Sequence, residues 1–99
     1  MVKFILEMTC FACPEQYDVY LENEKVGYLR LRNGRFRCEV PDCNGITVFD
    51  AYTLGDGIFE TQERDPMLRK ALAALAEELE IQEEFSYEIV EERYEEEWE

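Results

Sequence analysis

Three groups of residues in this chain have types and spacings that could do chemistry: four arginines, four cysteines, and a run of glutamates interleaved with aromatics. Arg30, Arg32, Arg35 and Arg37 flank Asn33-Gly34, a pair that tolerates positive φ at both central positions of a type I′ hairpin turn. With those two residues as the loop, Arg32 falls opposite Arg35, Leu31 opposite Phe36, Arg30 opposite Arg37 and Leu29 opposite Cys38. Side chains alternate between faces, so the four guanidinium groups share one face. Leu29, Leu31, Phe36 and Cys38 share the other, the core side. Like charges set opposite each other cost a few tenths of a kcal/mol or more per pair, roughly, so the cluster calls for compensation.

A three-residue loop at Asn23-Glu24-Lys25 would put Asp18 opposite Arg30 and Tyr20 opposite Tyr28 on the arginine face, with Glu39 two residues beyond Arg37. The face then has three readings. It is a solvated, partly salt-bridged outer surface. Or it binds a phosphate or signalling nucleotide, with arginine forks on the phosphate and Tyr20 and Tyr28 stacked on the base. Or it receives the chain's own acidic C-terminal arm.

Cys10-Phe11-Ala12-Cys13, followed by Cys38 and Cys43, has the outline of a four-cysteine zinc site, and without histidine the ligand set would have to be Cys₄. The strand register opposes it. Cys13 falls at the Asn33-Gly34 end of the sheet and Cys43 beyond the other end, ~30 Å apart at ~3.3 Å per residue. Cys38 has an ordinary role as a small apolar residue between Phe36 and Val40. The expectation is a protein without a cofactor, with zinc as the exception these cysteines would allow.

Of the net charge of −14, residues 77–99 contribute 12 acids against a single base, Arg93, while residues 1–76 hold 12 acids and 9 bases. Such a run is commonly a solvated helix face plus a tail. Here Glu88, Glu91, Glu92, Glu95 and Glu96 are interleaved with Tyr94 and Trp98, aromatics that make good anchors in a binding patch. Spaced negative charges also imitate a phosphate backbone, which is how DNA mimics occupy basic grooves. The arm is thus expected to engage a basic protein that handles nucleic acid, and to repel free nucleic acid and anionic membranes.

Absences narrow the class. The chain has no histidine, one serine (Ser86) and no glycine-rich phosphate loop, which points to binding rather than catalysis. No apolar run approaches the ~18 residues of a membrane span. Met1–Glu7 alternates like a strand and lacks the pattern of a secretory signal. A cytoplasmic setting with reduced thiols follows as the expectation.

These groups need a frame. Val2–Thr9, Gln16–Glu22, Val26–Arg32, Arg35–Val40 and Ile46–Tyr52 alternate or are rich in β-formers. Asp65-Pro66 reads as N-cap and first helical residue, and Leu68, Ala71, Leu72, Leu75 and Leu79 form one stripe of a helix reaching about Glu84. Phe85, Tyr87 and Ile89 alternate as in a sixth strand, whereas Tyr87, Val90, Tyr94 and Trp98 have helical spacing. The predicted fold is α+β: an antiparallel meander of about five strands, one face covered by a single helix. Residues 1–84 form the domain and 85–99 the acidic arm.

Pro14–Tyr20, Gly27–Gly34, Gly55–Glu60 and Glu63-Arg64 together resemble small uncharacterised phage and prophage proteins of Gram-positive bacteria, over roughly residues 10–75. That resemblance implies no activity and no site residues, only a mobile-element setting in a host cytoplasm. Small acidic proteins there often inhibit restriction or CRISPR nucleases. The functional expectation is accordingly an inhibitor or adaptor acting through the arm. A nucleotide binder using the arginine face is the first alternative, and a zinc-stabilised structural module the second.

Overall fold

Alternating apolar and polar residues carry the chain through five successive antiparallel strands, β1 (Val2–Phe11), β2 (Glu15–Leu21), β3 (Glu24–Arg32), β4 (Arg35–Val40) and β5 (Ile46–Tyr52). The computed structural model describes residues 1–12 and 14–91. One helix, α1 (Thr61–Glu78), follows, and then a sixth strand, β6 (Phe85–Val90). The sheet order is β5-β4-β3-β2-β1-β6. The α+β class agrees with the sequence, but the sheet has six strands rather than five and is mixed. β6 lies parallel to β1, from Val2 opposite Phe85 to Glu7 opposite Val90. Six residues assigned to the arm therefore belong to the sheet, and Phe85, Tyr87 and Ile89 pack on its core side. No helix among the described residues is long and apolar enough to cross a membrane.

The predicted register of β3 with β4 holds at each of its four pairs, because Asn33 (φ 55) and Gly34 (φ 73) both take the left-handed conformation of the tight turn. The hairpin before it differs. Its loop is the two residues Glu22 (φ 54) and Asn23 (φ 70), and a bulge follows between Val19 and Tyr20. Asp18 therefore lies opposite Tyr28, and Gln16 opposite Arg30.

α1 starts earlier and stops earlier than its sequence signals suggest. Its N-cap is Glu60, whose N–H donates to the Glu63 carboxylate at 3.0 Å, so Pro66 sits inside the helix. Asp65, expected to cap, instead accepts from the Tyr87 hydroxyl and from Arg69 Nε. At the other end Glu80 takes φ 62, and its N–H and that of Ile81 donate to the carbonyls of Glu77 and Ala76. That pairing is a Schellman close, built on a glutamate where glycine is usual. It turns the chain toward the far edge of the sheet six residues before the expected helix end.

The stripe itself is as predicted. Leu68, Ala71, Leu72 and Leu75 are fully buried over Phe4, Leu6, Tyr17, Val19, Leu29, Leu31, Phe36 and Cys38. Gly27 makes room for it, since a Cβ there would lie 3.2 Å from Leu75 Cδ2.

Two carboxylates organise the segment between β5 and α1. Glu63 accepts the N–H groups of Leu54, Gly55 and Glu60 at 2.8–3.0 Å, which holds its carboxyl below the usual range although burial alone would raise it. Glu15, fully buried on β2, accepts from Arg64 Nε at 2.8 Å, Arg64 Nη2 at 3.1 Å, Phe59 N–H at 2.9 Å and the Tyr17 hydroxyl. Burial pushes its pKa up, but these donors outweigh it and the net shift is downward. Its backbone N–H also donates to the Gly57 carbonyl at 2.8 Å. Phe59 is thereby pinned against Phe36, with ring centroids 4.9 Å apart.

Removing Arg64 leaves a buried carboxylate without its cation, so Arg64→Ala should destabilise by about 3–5 kcal/mol in urea unfolding at neutral pH. In the parent protein Glu15 has a lowered folded-state pKa, so its contribution is complete above the unfolded value and is lost as pH falls through the folded one. In the variant only Tyr17 and Phe59 still oppose burial, so that pKa rises above the parent's, a penalty that protonation relieves. The stability gap between the two should narrow as pH falls toward 4, and a gap independent of pH would contradict this assignment.

Candidate anion-binding face

The face of the sheet away from α1 carries Arg30 and Arg32 on β3 and Arg35 and Arg37 on β4, as the turn requires. Together with Asn33 and Tyr52 they line an open concavity of ≈ 340 Å³. The four guanidinium groups are not equivalent. Asp50 on β5, directly opposite Arg37, grips Arg35 with both oxygens: Nε to Oδ1 at 2.9 Å and Nη2 to Oδ2 at 2.8 Å. Arg37 lies 4.0 Å from Asp50 and 3.6 Å from Glu39. The Arg35 hydrogen bond holds the Asp50 carboxyl below its usual range. Arg30 and Arg32 have no carboxylate partner among the described residues. The concavity thus presents two braced arginines beside two whose forks are unspent.

Several expected partners lie elsewhere. Asp18 does not compensate Arg30; it pairs with Lys25 at 3.0 Å, and Lys25 also reaches Asp42 at 2.9 Å. Tyr28 is buried and its hydroxyl donates to Gln16 Oε1 at 2.9 Å, so its ring is closed to a stacked base. Tyr20 stands opposite Lys25 and Ile5, outside the concavity. The aromatic at the site is Tyr52, 79% exposed, with the Arg35 guanidinium 5.5 Å from its ring centroid. Asp50 and Tyr52 are not among the residues whose type and spacing marked them in the sequence. Their alternation in Ile46–Tyr52 was visible, but the pairing with β4 depends on a bulge between Cys38 and Glu39.

Other apolar groups gather at the same end. Thr53 N–H donates to the Gly34 carbonyl at 2.9 Å, which lays the loop after β5 against the Asn33-Gly34 turn. Tyr52, Leu54 and Ile58 are exposed there, and Phe11 is exposed beside Glu15 at the end of β1.

The cysteines are dispersed. Cys38 is sealed in the core, where burial pushes its thiol up to about 12. Cys43 is exposed in the turn after β4, and Cys10 Sγ donates to the Ala12 carbonyl at 3.3 Å on β1. Cys13 lies outside the described residues. Among the described residues no cluster of histidine, cysteine, aspartate or glutamate has the geometry to hold a metal.

Of the arm residues, Glu88 is exposed on β6 and pairs with Lys3 at 2.8 Å, and Glu91 is exposed just past the strand. Glu92, Tyr94, Glu95, Glu96 and Trp98 lie outside the described residues. Exposed acids continue from the end of α1 through Glu80, Glu83 and Glu84 to β6, so the sheet is basic on its β3–β5 face and acidic at its β6 edge. No protein-family model, curated protein or solved structure matches the chain.

Asp50 separates like charges that the hairpin forces together. Asp50→Asn should therefore lower the melting temperature more at 20 mM than at 1 M salt, where repulsion among the arginines is screened. An equal loss at both salts, followed by thermal unfolding, would mean that Asp50 acts through packing instead.

Proposed function

We propose that the protein is a binding protein rather than an enzyme, and that its open face takes up a small phosphate-bearing ligand, a nucleotide in particular. The observation that carries this is the pair Arg30 and Arg32, unpaired among the described residues, beside an Asp50-braced Arg35 in one concavity. Guanidinium forks match phosphate oxygens two at a time. A bracing carboxylate fixes the neighbouring guanidinium without neutralising the whole cluster. Tyr52 at the rim offers a flat face to a base. Titration with ADP and with pyrophosphate tests this by calorimetry. Arg30→Ala with Arg32→Ala should weaken both by roughly ten- to a hundredfold, the value of charge-assisted hydrogen bonds. Tyr52→Ala should weaken ADP alone, and Lys70→Ala on the exposed side of α1 should change neither. Equal affinities in the double variant and the parent would rule the site out.

A second reading, an inhibitor or adaptor engaging a basic nucleic-acid-handling protein, is favoured by the acidic edge through Glu80, Glu83, Glu84, Glu88 and Glu91. If the acids act as a phosphate mimic, duplex DNA should displace the captured partner, and binding should fall steeply with salt. Glutamine at Glu88, Glu91, Glu92, Glu95 and Glu96 should abolish capture, whereas capture indifferent to both DNA and these changes would eliminate mimicry. Charge variants are the cleaner tool, because cutting the chain at Glu84 would also remove β6 from the sheet.

A further inference from the structure

The two edges of the sheet are guarded differently. β6 carries the exposed Glu88 near its centre, with Glu83 and Glu84 just before it. β5, the opposite edge, has one charged residue in seven, Asp50, and the Arg35 fork engages both of its oxygens. The other six are mostly β-branched or aromatic, with no Lys or Pro to blunt the edge. Its one irregularity is the bulge: Phe49 lies opposite Cys38 and Thr47 opposite Glu39, so Val48 is the extra residue. From Phe49 to Tyr52 the pairing with β4 is regular, and the outward N–H and C=O groups of that stretch face no strand among the described residues.

On the α1 side this edge opens into a groove of ≈ 260 Å³ between Ile46, Thr47 and Val48 and the helix residues Ala74, Glu77 and Glu78. Ile46, Val48 and Ala74 give it apolar walls. Ile46 is 68% exposed although it stands opposite the buried Val40, and Val48 packs against the core. The rim is anionic for two reasons that add. Glu77 and Glu78 are exposed and have no cationic partner among the described residues. They also occupy the last turn of α1, which holds no basic residue, so their charge sits on the negative end of the helix dipole. Acids there destabilise the helix, and a cation placed beside them relieves it.

We propose that the β5 edge is a docking site for an extended segment of a basic partner protein. That segment adds a strand beside Phe49–Tyr52 and sets Lys or Arg side chains against Glu77 and Glu78. Strand addition takes its affinity from main-chain hydrogen bonds and its selectivity from alternate side chains. Side chains on one face of the added strand recur about every 6.6 Å, so apolar groups can meet Ile46 and Val48 while a base reaches the helix end. The net charge of −14 draws such a segment in and disfavours an acidic one, a second copy of this chain included. The groove shares no residue with the arginine concavity, so the two sites stand or fall separately.

The probe is a capped peptide as long as β5, with valine and lysine along one face and threonine along the other. Added to the full chain, it should slow amide hydrogen exchange within Phe49–Tyr52, read by NMR. In calorimetry Glu77→Gln with Glu78→Gln should weaken its binding roughly tenfold, about the value of one charge-assisted contact. The melting temperature of that variant should hold or rise, since it removes acids from a helix C-terminus. A peptide with glutamate in place of lysine should not bind. Methylating alternate backbone nitrogens should abolish binding for the set that faces β5 and spare it for the other set, a signature that side-chain docking lacks. Equal affinity for the lysine and glutamate peptides, indifference to the glutamine substitutions, or tolerance of both methylated sets would overturn the proposal. So would protection within Phe85–Val90 instead of β5, or no binding at about millimolar peptide. A dimer in light scattering whose β5 amides are protected without peptide would assign the edge to a second copy and overturn it equally.

Discussion

The buried ion pair between Glu15 and Arg64 is the constraint on which the rest of this structure depends. A carboxylate with no solvent exposure is tolerable only when its lone pairs are filled, and here the donors come from three places at once: β2 itself through Tyr17, the loop through Phe59, and α1 through Arg64. Meeting that demand fixes where the loop crosses the end of the sheet and how the first turns of α1 approach it. Glu63 performs the same service for three backbone N–H groups of the loop. Thr53–Glu60, without regular structure of its own, is therefore tied by hydrogen bonds to β2, to α1 and to the Asn33-Gly34 turn.

Features of the fold set by local chemistry were legible in the sequence. Asn33-Gly34 dictates its hairpin because both residues accept positive φ, and the common face of the four arginines follows from that turn. The Leu68–Leu75 stripe reads equally plainly. What was not legible depended on competition between signals or on distant pairing. Asp65-Pro66 is a good local start signal, but the Glu63 carboxylate, engaged with Glu60 and the loop, starts the helix earlier. Glu22 and Glu80 adopt left-handed conformations that their residue type does not advertise. The alternation of Phe85, Tyr87 and Ile89 was visible. Their choice of strand over helix was settled by an open edge on β1, more than 80 positions away in sequence.

The same division applies to the candidate site. The four arginines and their common face came from one turn, whereas their compensation came from β5, whose register shifts at a bulge. Asp50 rather than Asp18 takes the bracing role for that reason. A carboxylate on the neighbouring strand can grip one fork in plane and leave the other pair open, an arrangement that suits a receptor for oxyanions better than a merely neutralised surface. The molecule also segregates its charge, with bases on the face of β3–β5 and acids along the β6 edge, so its field would orient whatever charged partner approaches.

The parallel pairing of β6 with β1 has a consequence for how this protein is made. During synthesis β1 emerges first, yet its outer edge has no partner until Val90 has left the ribosome. The meander β1–β5 assembles from short-range hairpins, while the closing strand must join residues at nearly the largest sequence separation the described chain contains, a step that loop-closure entropy makes slow. Through that interval a ten-residue strand bearing Phe4 and Leu6 stands as an open template for pairing with other chains. The glutamates at 83, 84 and 88, arriving with the last strand, bring negative charge to that edge as it closes. On β6, which becomes the outer edge, such charges disfavour pairing with another strand.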